Sequence, residues 1–150
     1  MKNTTFIISL SLGLCWFFSA AHAADNDEAA MRKKLAGTWR GFAVEGTGER
    51  ADQGPVKLEV TITEKEISAL KDGKEDMGAG TYKLDLSQTP MSLEGTRTRG
   101  MGPKGTFFGI FKLEGETLKW CVANPRYPRP TEFRTVKGQF LLILKRAEKK

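Results

Sequence analysis

The 150-residue chain holds a single histidine, His22, and two cysteines, Cys15 and Cys121. His22 and Cys15 both fall in a stretch that reads as a cleavable export leader. Lys2 gives it a positive start, Phe6 to Ala20 form an apolar run broken only by Ser9, Ser11, Gly13 and Ser19, and Ala21-His22-Ala23 is the small-x-small pattern that a signal peptidase cuts. A cut before Ala24 removes residues 1–23. The run is shorter than the ~20 apolar residues a spanning helix needs, and Leu14 before Cys15 is not the small residue of a lipoprotein signal. The mature protein is therefore expected to be exported, periplasmic or secreted, with no stable membrane anchor, and nucleic acid drops out as a partner. Export also removes the only imidazole. Ser-His-Asp and Cys-His nucleophiles and imidazole-bound zinc are excluded, since each needs a group titrating near neutrality. The remaining thiol, Cys121, can neither close an internal disulfide nor build a tetrathiolate zinc site. It is expected to be buried and inert, the other reading being a bond to a second chain.

Other groupings invite chemistry and mostly decline it. The run from Gly95 to Gly105 has the glycine content of a phosphate-cradling loop, but Lys104 precedes Gly105, and the following Thr106 to Leu113 alternates like a strand where a helix should begin. A basic hairpin connection is the expectation, leaving only loose anion binding at Arg97, Arg99 and Lys104. Glu114 and Glu116 flank a turn glycine, where exposed carboxylates keep ordinary pKa values and make poor general acids. Glu64, Glu66, Asp72, Glu75 and Asp76 lack the spacing of a calcium-wrapping loop. No metal or cofactor is expected, and no catalytic constellation is recognisable. Charge is uneven: from Lys119 onward nine basic residues face only Glu132 and Glu148. Within that basic end, Pro125-Arg126-Tyr127-Pro128-Arg129-Pro130 joins guanidinium groups, a ring and a stiff extended backbone, suited to an acidic envelope partner. Against this, Arg129-Pro130 can simply fix the turn into the next strand, with Arg129 reaching a carbonyl or carboxylate.

The elements that must position these residues follow from periodicity. A short helix over 24–34 precedes the main domain, 35–150, with Asp25, Asn26 or Asp27 to cap it and Arg32, Lys33 and Lys34 in its last turn, where the helix dipole favours cations. The period then changes to two. Val56, Leu58, Val60 and Ile62 alternate with Lys57, Glu59, Thr61 and Thr63, and the stretches around Tyr82 to Leu86 and Leu118 to Val122 behave alike. Strands are expected over 38–45, 56–63, 66–71, 79–86, 91–97, 105–113, 116–123, 131–136 and 139–146. Glycines in Lys71-Asp72-Gly73-Lys74, Glu114-Gly115-Glu116 and Lys137-Gly138-Gln139 supply tight turns between neighbours. Half-apolar antiparallel strands bury their oily faces together, and closing the sheet removes its edges. The fold class is therefore all-β, a single up-and-down antiparallel barrel of about eight strands. Its interior is expected to receive Val56, Leu58, Val60, Tyr82, Leu84, Phe107, Phe111, Leu118, Trp120, Phe140 and Leu142. A barrel of this size either just fills with side chains or holds one small ligand.

Gly37-Thr38-Trp39 follows the helix and opens the first strand, while Leu144-Lys145-Arg146 closes the last. This pairing resembles the lipocalin arrangement, in which the Gly-x-Trp tryptophan plugs the closed end of the barrel and an arginine from the final strand packs over its ring. On that resemblance Trp39 and Arg146 are the closure residues, and such a cation–π contact contributes ~0.5 to 2 kcal/mol. The ordered series from Leu35-Ala36-Gly37-Thr38-Trp39, through Gly80-Thr81-Tyr82, Gly109-Ile110-Phe111 leading to Leu118-Lys119-Trp120-Cys121, and Arg129-Pro130-Thr131-Glu132-Phe133, to Lys145-Arg146 is similar to an uncharacterised planctomycete-type, lipocalin-like bacterial domain family. That family usually has tyrosine where Phe111 stands. The resemblance implies a fold and carries no reaction.

Two functional readings follow. In the first, an exported, non-enzymatic lipocalin-like domain binds a small apolar ligand inside the barrel. In the alternative, an envelope protein-interaction module uses the basic loop 125–134, with Arg126, Tyr127 and Arg129 as contacts.

Overall fold

The computed structural model describes residues 20–45, 56–100 and 102–148; positions 1–19 of the expected leader lie outside them. One helix, α1 (Ala20–Leu35), precedes eight strands: β1 (Gly37–Glu45), β2 (Val56–Ile62), β3 (Glu66–Lys71), β4 (Glu75–Asp85), β5 (Ser92–Arg99), β6 (Thr106–Glu114), β7 (Thr117–Ala123) and β8 (Gln139–Arg146). Each strand pairs antiparallel with the next, and β8 returns to β1 to close the barrel. The protein is an all-β, lipocalin-like up-and-down barrel. The alternation that predicts its strands also sets its register: Trp39 sits opposite Val60 on one side and Arg146 on the other, so inward residues meet inward residues around the ring.

Two expectations need correction. The stretch 131–136 is not a strand. With β8 flanked by both β7 and β1 there is no free edge left for a ninth strand to join. Pro125, Pro128 and Pro130, lacking N–H donors, instead make residues 124–138 a long connection. Asn124 N–H to the Gly138 carbonyl (2.9 Å) ties its two ends together. The helix also starts earlier than expected, at Ala20, so Asp25, Asn26 and Asp27 lie within it instead of capping it. Among the glycine turns, Asp72 and Gly73 take φ of 50° and 69°, the pair of positive values that a two-residue hairpin of right-handed twist requires.

The hydrophobic core is solid towards one end of the barrel. Leu35, Trp39, Ile62, Leu93, Phe111, Leu118 and Leu144 are all essentially sealed from solvent, and Met31 packs against them from α1. At the opposite end, strands β4 and β5 are irregular. Register shifts at Ala69/Leu70 and at Ala79/Gly80 leave Met77 and Thr98 as extra residues in their strands, and such bulges bend a strand and increase its twist. Gly80 permits the resulting close crossing: a Cβ there would lie 2.1 Å from the Thr96 carbonyl oxygen.

Candidate functional site

The closed end is assembled from the helix terminus, the start of β1 and the end of β8. Trp39 Nε1 donates to the Leu35 carbonyl at 2.8 Å, so the ring is buried without an unmet donor. Arg146 Cζ stands 4.2 Å from the Trp39 ring centroid. Its guanidinium also donates to the carbonyls of Ala36, at 2.8 Å, and Lys34, and reaches Glu116 at 3.1 Å. One cation thus covers the indole and satisfies carbonyls where α1 ends, as cations near a helix C-terminus do. Gly37, at φ +137°, leaves room for it, since a Cβ there would lie 2.7 Å from an Arg146 nitrogen. A second arginine repeats the device: Arg32 Cζ lies 4.4 Å from the Tyr82 ring centroid, and Arg32 donates to the Glu64 carbonyl at 2.8 Å. The Tyr82 hydroxyl donates to the Thr63 carbonyl at 2.8 Å. Burial raises the Tyr82 pKa above its ordinary value, with Arg32 opposing part of the effect.

At the other end the interior opens into a cavity of about 160 Å³. Six of the residues expected inside line it: Leu58, Val60, Phe107, Trp120, Phe140 and Leu142. Tyr82, Leu84, Phe111 and Leu118 are inside the barrel too, but in the solid core. Val56 is half-buried and belongs to neither group. Residues not assigned to the interior from the sequence complete the wall, chiefly Ile67, Ala69, Met77, Gly78, Gly80, Gly95 and Arg97. The reason for the hollow is visible in their sizes. Phe107, Trp120 and Phe140 come from β6, β7 and β8, while the facing stretches of β3 to β5 present alanine and glycine. A Cβ built on Gly95 would have no atom of the described residues within 4 Å.

Two polar groups bear on this apolar space. Trp120 Nε1 is the one buried side-chain nitrogen or oxygen among the described residues with no hydrogen-bond partner. Its ring lies over Gly109, where a Cβ would come within 2.4 Å of Nε1. Leaving such a donor unmet costs about 1 to 3 kcal/mol. Among the described residues that line the cavity, Arg97 is the only charged one. Its Cζ stands 5.1 Å from the Phe107 ring centroid, and its backbone N–H donates to the Gly105 carbonyl.

The basic Pro-Arg segment lies along the outside of the barrel. Arg129 pairs with Glu94 of β5 and its Cζ lies 5.5 Å from the Phe108 ring centroid. Phe133 rests beneath Lys112, 5.4 Å away, and Tyr127 packs against Gly138. Arg126 is exposed at φ 81°. This strap covers Cys121, whose thiol donates to the Arg134 carbonyl at 3.3 Å, and burial pushes its pKa up to about 11. A thiol so protonated is a poor nucleophile. Glu114 sits between Lys112 (2.8 Å) and Lys119 (3.6 Å), and the hydrogen bond from Lys112 holds its pKa below the usual carboxylate range. Asp76 pairs with Arg99, and Glu75 with Lys71. Among the described residues no three acidic, cysteine or histidine groups converge as metal ligands would.

No family model, curated protein or solved structure matches the chain.

Proposed function

We propose that this protein is an exported, non-enzymatic lipocalin-like carrier that takes up one compact apolar molecule in the open end of its barrel. The ordered motifs from Leu35 to Arg146 support its membership of the lipocalin-like bacterial family that they resemble. The observation that carries the binding reading is the unfilled wall at Gly95, facing a cavity of about 160 Å³ walled by Leu58, Val60, Phe107, Trp120, Phe140 and Leu142. Filling a space of this size with one ring is physically reasonable, since an engineered apolar cavity of roughly 150 Å³ binds benzene.

Gly95→Leu tests this reading, because the new side chain would occupy the space a ligand needs. Wild-type protein should bind single-ring probes such as toluene or indole saturably and melt higher in their presence. The Gly95→Leu variant should lose at least tenfold in affinity. Without ligand it should be more stable by about 1 kcal/mol, through burial of the leucine and removal of a strand glycine. Wild type that ignores a broad panel of such probes, or a variant that binds them equally well, would defeat the proposal.

A further inference from the structure

We infer that the outer face of β1 and β8 docks reversibly on an anionic bilayer surface, its apolar centre entering the headgroup layer and its basic rim meeting lipid phosphates. Register sets the patch. Phe42 stands opposite Ile143 and Val44 opposite Leu141, so four apolar side chains form one outward block on two adjacent strands. Phe42, Val44 and Ile143 are 45%, 40% and 41% exposed, three of the six large hydrophobics exposed among the described residues. The same outward parity is polar on other strands: Lys57, Glu59 and Thr61 on β2, Thr81, Lys83 and Asp85 on β4. Folding of the barrel therefore does not call for apolar groups at these positions. The face stands apart from the cavity, whose lining includes none of the four.

The rim of this block is cationic. Lys57 stands opposite Phe42 across β2, Lys119 stands opposite Ile143 across β7, and Arg40 faces Lys145 in the next outward row. Arg40 is paired with Glu59 and Lys119 with Glu114, whereas Lys57 and Lys145 are exposed and in no ion pair among the described residues. An isologous dimer through this face would set these cations against their own copies, which disfavours a second chain as the occupant. Closure of β8 onto β1 leaves no strand edge here for an added peptide strand. Four apolar side chains also fall well short of the roughly 20–30 residues that each side of a stable protein interface contributes. A lipid surface asks for less: a few apolar groups at headgroup depth, with basic side chains near anionic phosphates, suffice for reversible binding. Its charge is diffuse, as are cations spread over β1, β2, β7 and β8.

Cosedimentation with vesicles tests this, using the chain from Ala24 onward, since the apolar leader would bind lipid by itself and the core described above begins only at Met31. Wild type should bind vesicles of equal parts phosphatidylcholine and phosphatidylglycerol, ignore phosphatidylcholine alone, and dissociate as salt rises. Phe42→Ser combined with Ile143→Ser should lose roughly tenfold or more in affinity, and Lys57→Gln combined with Lys145→Gln roughly tenfold. Lys65→Gln combined with Lys83→Gln removes the same charge from the β2–β3 turn and from β4, and should bind like wild type. Phe42→Trp should be quenched by brominated lipid in the mixed vesicles, which reports entry of the patch itself. Wild type that ignores the mixed vesicles, or binding that survives the serine pair or falls equally with Lys65→Gln and Lys83→Gln, would overturn the inference. A wild-type dimer that the serine pair dissociates would overturn it in favour of a second copy, and retention by polyglutamate without binding to vesicles in favour of an acidic protein. If the serine pair does not fold, quenching of Phe42→Trp decides, its absence counting against lipid docking.

Discussion

At the scale of single residues, the sequence is most informative where a side chain has one job. Alternation alone assigns Leu58, Val60, Trp120 and Leu142 to the interior, and they lie there. It is silent where the decisive property is the absence of a side chain. Gly95 and Ala69 add nothing to a hydrophobic pattern, yet their smallness makes the cavity. Arg97 escapes for a related reason: at the end of the strand expected over 91–97 it reads as part of a basic hairpin connection, although the parity of Leu93 and Gly95 already places it inward. Cys121 was legible, and its environment has a measurable consequence. Burial raises its pKa from an ordinary 9.0 to about 11, so the folded state holds this proton more tightly than the unfolded chain does. The stability linked to it is therefore complete below about pH 9 and is lost as pH climbs through about 11. Chemical denaturation between pH 8 and 11 should show stability falling more steeply in wild type than in Cys121→Ala. Identical slopes would mean that the thiol is not protected in the fold.

At the scale of elements, the eight paired strands stand within a few residues of where periodicity predicts them, because each is specified by its own alternation. The ninth expected strand shows the limit of that argument. Thr131 to Val136 alternates, but a strand also needs an edge to pair with, and closure of β8 onto β1 removes it. Phe133 uses its apolar ring against Lys112 on the outside of the barrel. The resulting strap is fastened chiefly through Arg129 and Glu94, with Pro130 buried beneath it. Of the three residues suited to a partner, Arg129 is thus already engaged, and Arg126 and Tyr127 remain outward. Glu94→Ala should loosen the strap without opening the barrel. The expected outcome is at least a tenfold faster reaction of Cys121 with a thiol reagent at pH 8, with unchanged far-ultraviolet circular dichroism. Unchanged thiol reactivity would show that the strap is held by its proline and aromatic packing alone.

At the scale of the whole molecule, the barrel divides its interior unequally. The helix, Trp39 and Arg146 seal one end with aliphatic and aromatic packing, while the bulged ends of β4 and β5 and their small residues leave the other end hollow. Filling and hollowness, which a strand count cannot distinguish, thus coexist in one barrel. The two tryptophans of the domain report on the two ends separately, since Trp39 lies in the sealed core and Trp120 in the cavity wall. The most direct measurement is a nitrogen–proton correlation spectrum followed during titration with a single-ring ligand. The indole N–H resonance of Trp120 and the amides of Gly95 and Arg97 should move saturably while the indole of Trp39 stays in place. A spectrum in which Trp120 does not respond, or in which Trp39 moves as much, would contradict a barrel that is solid at one end and receptive at the other.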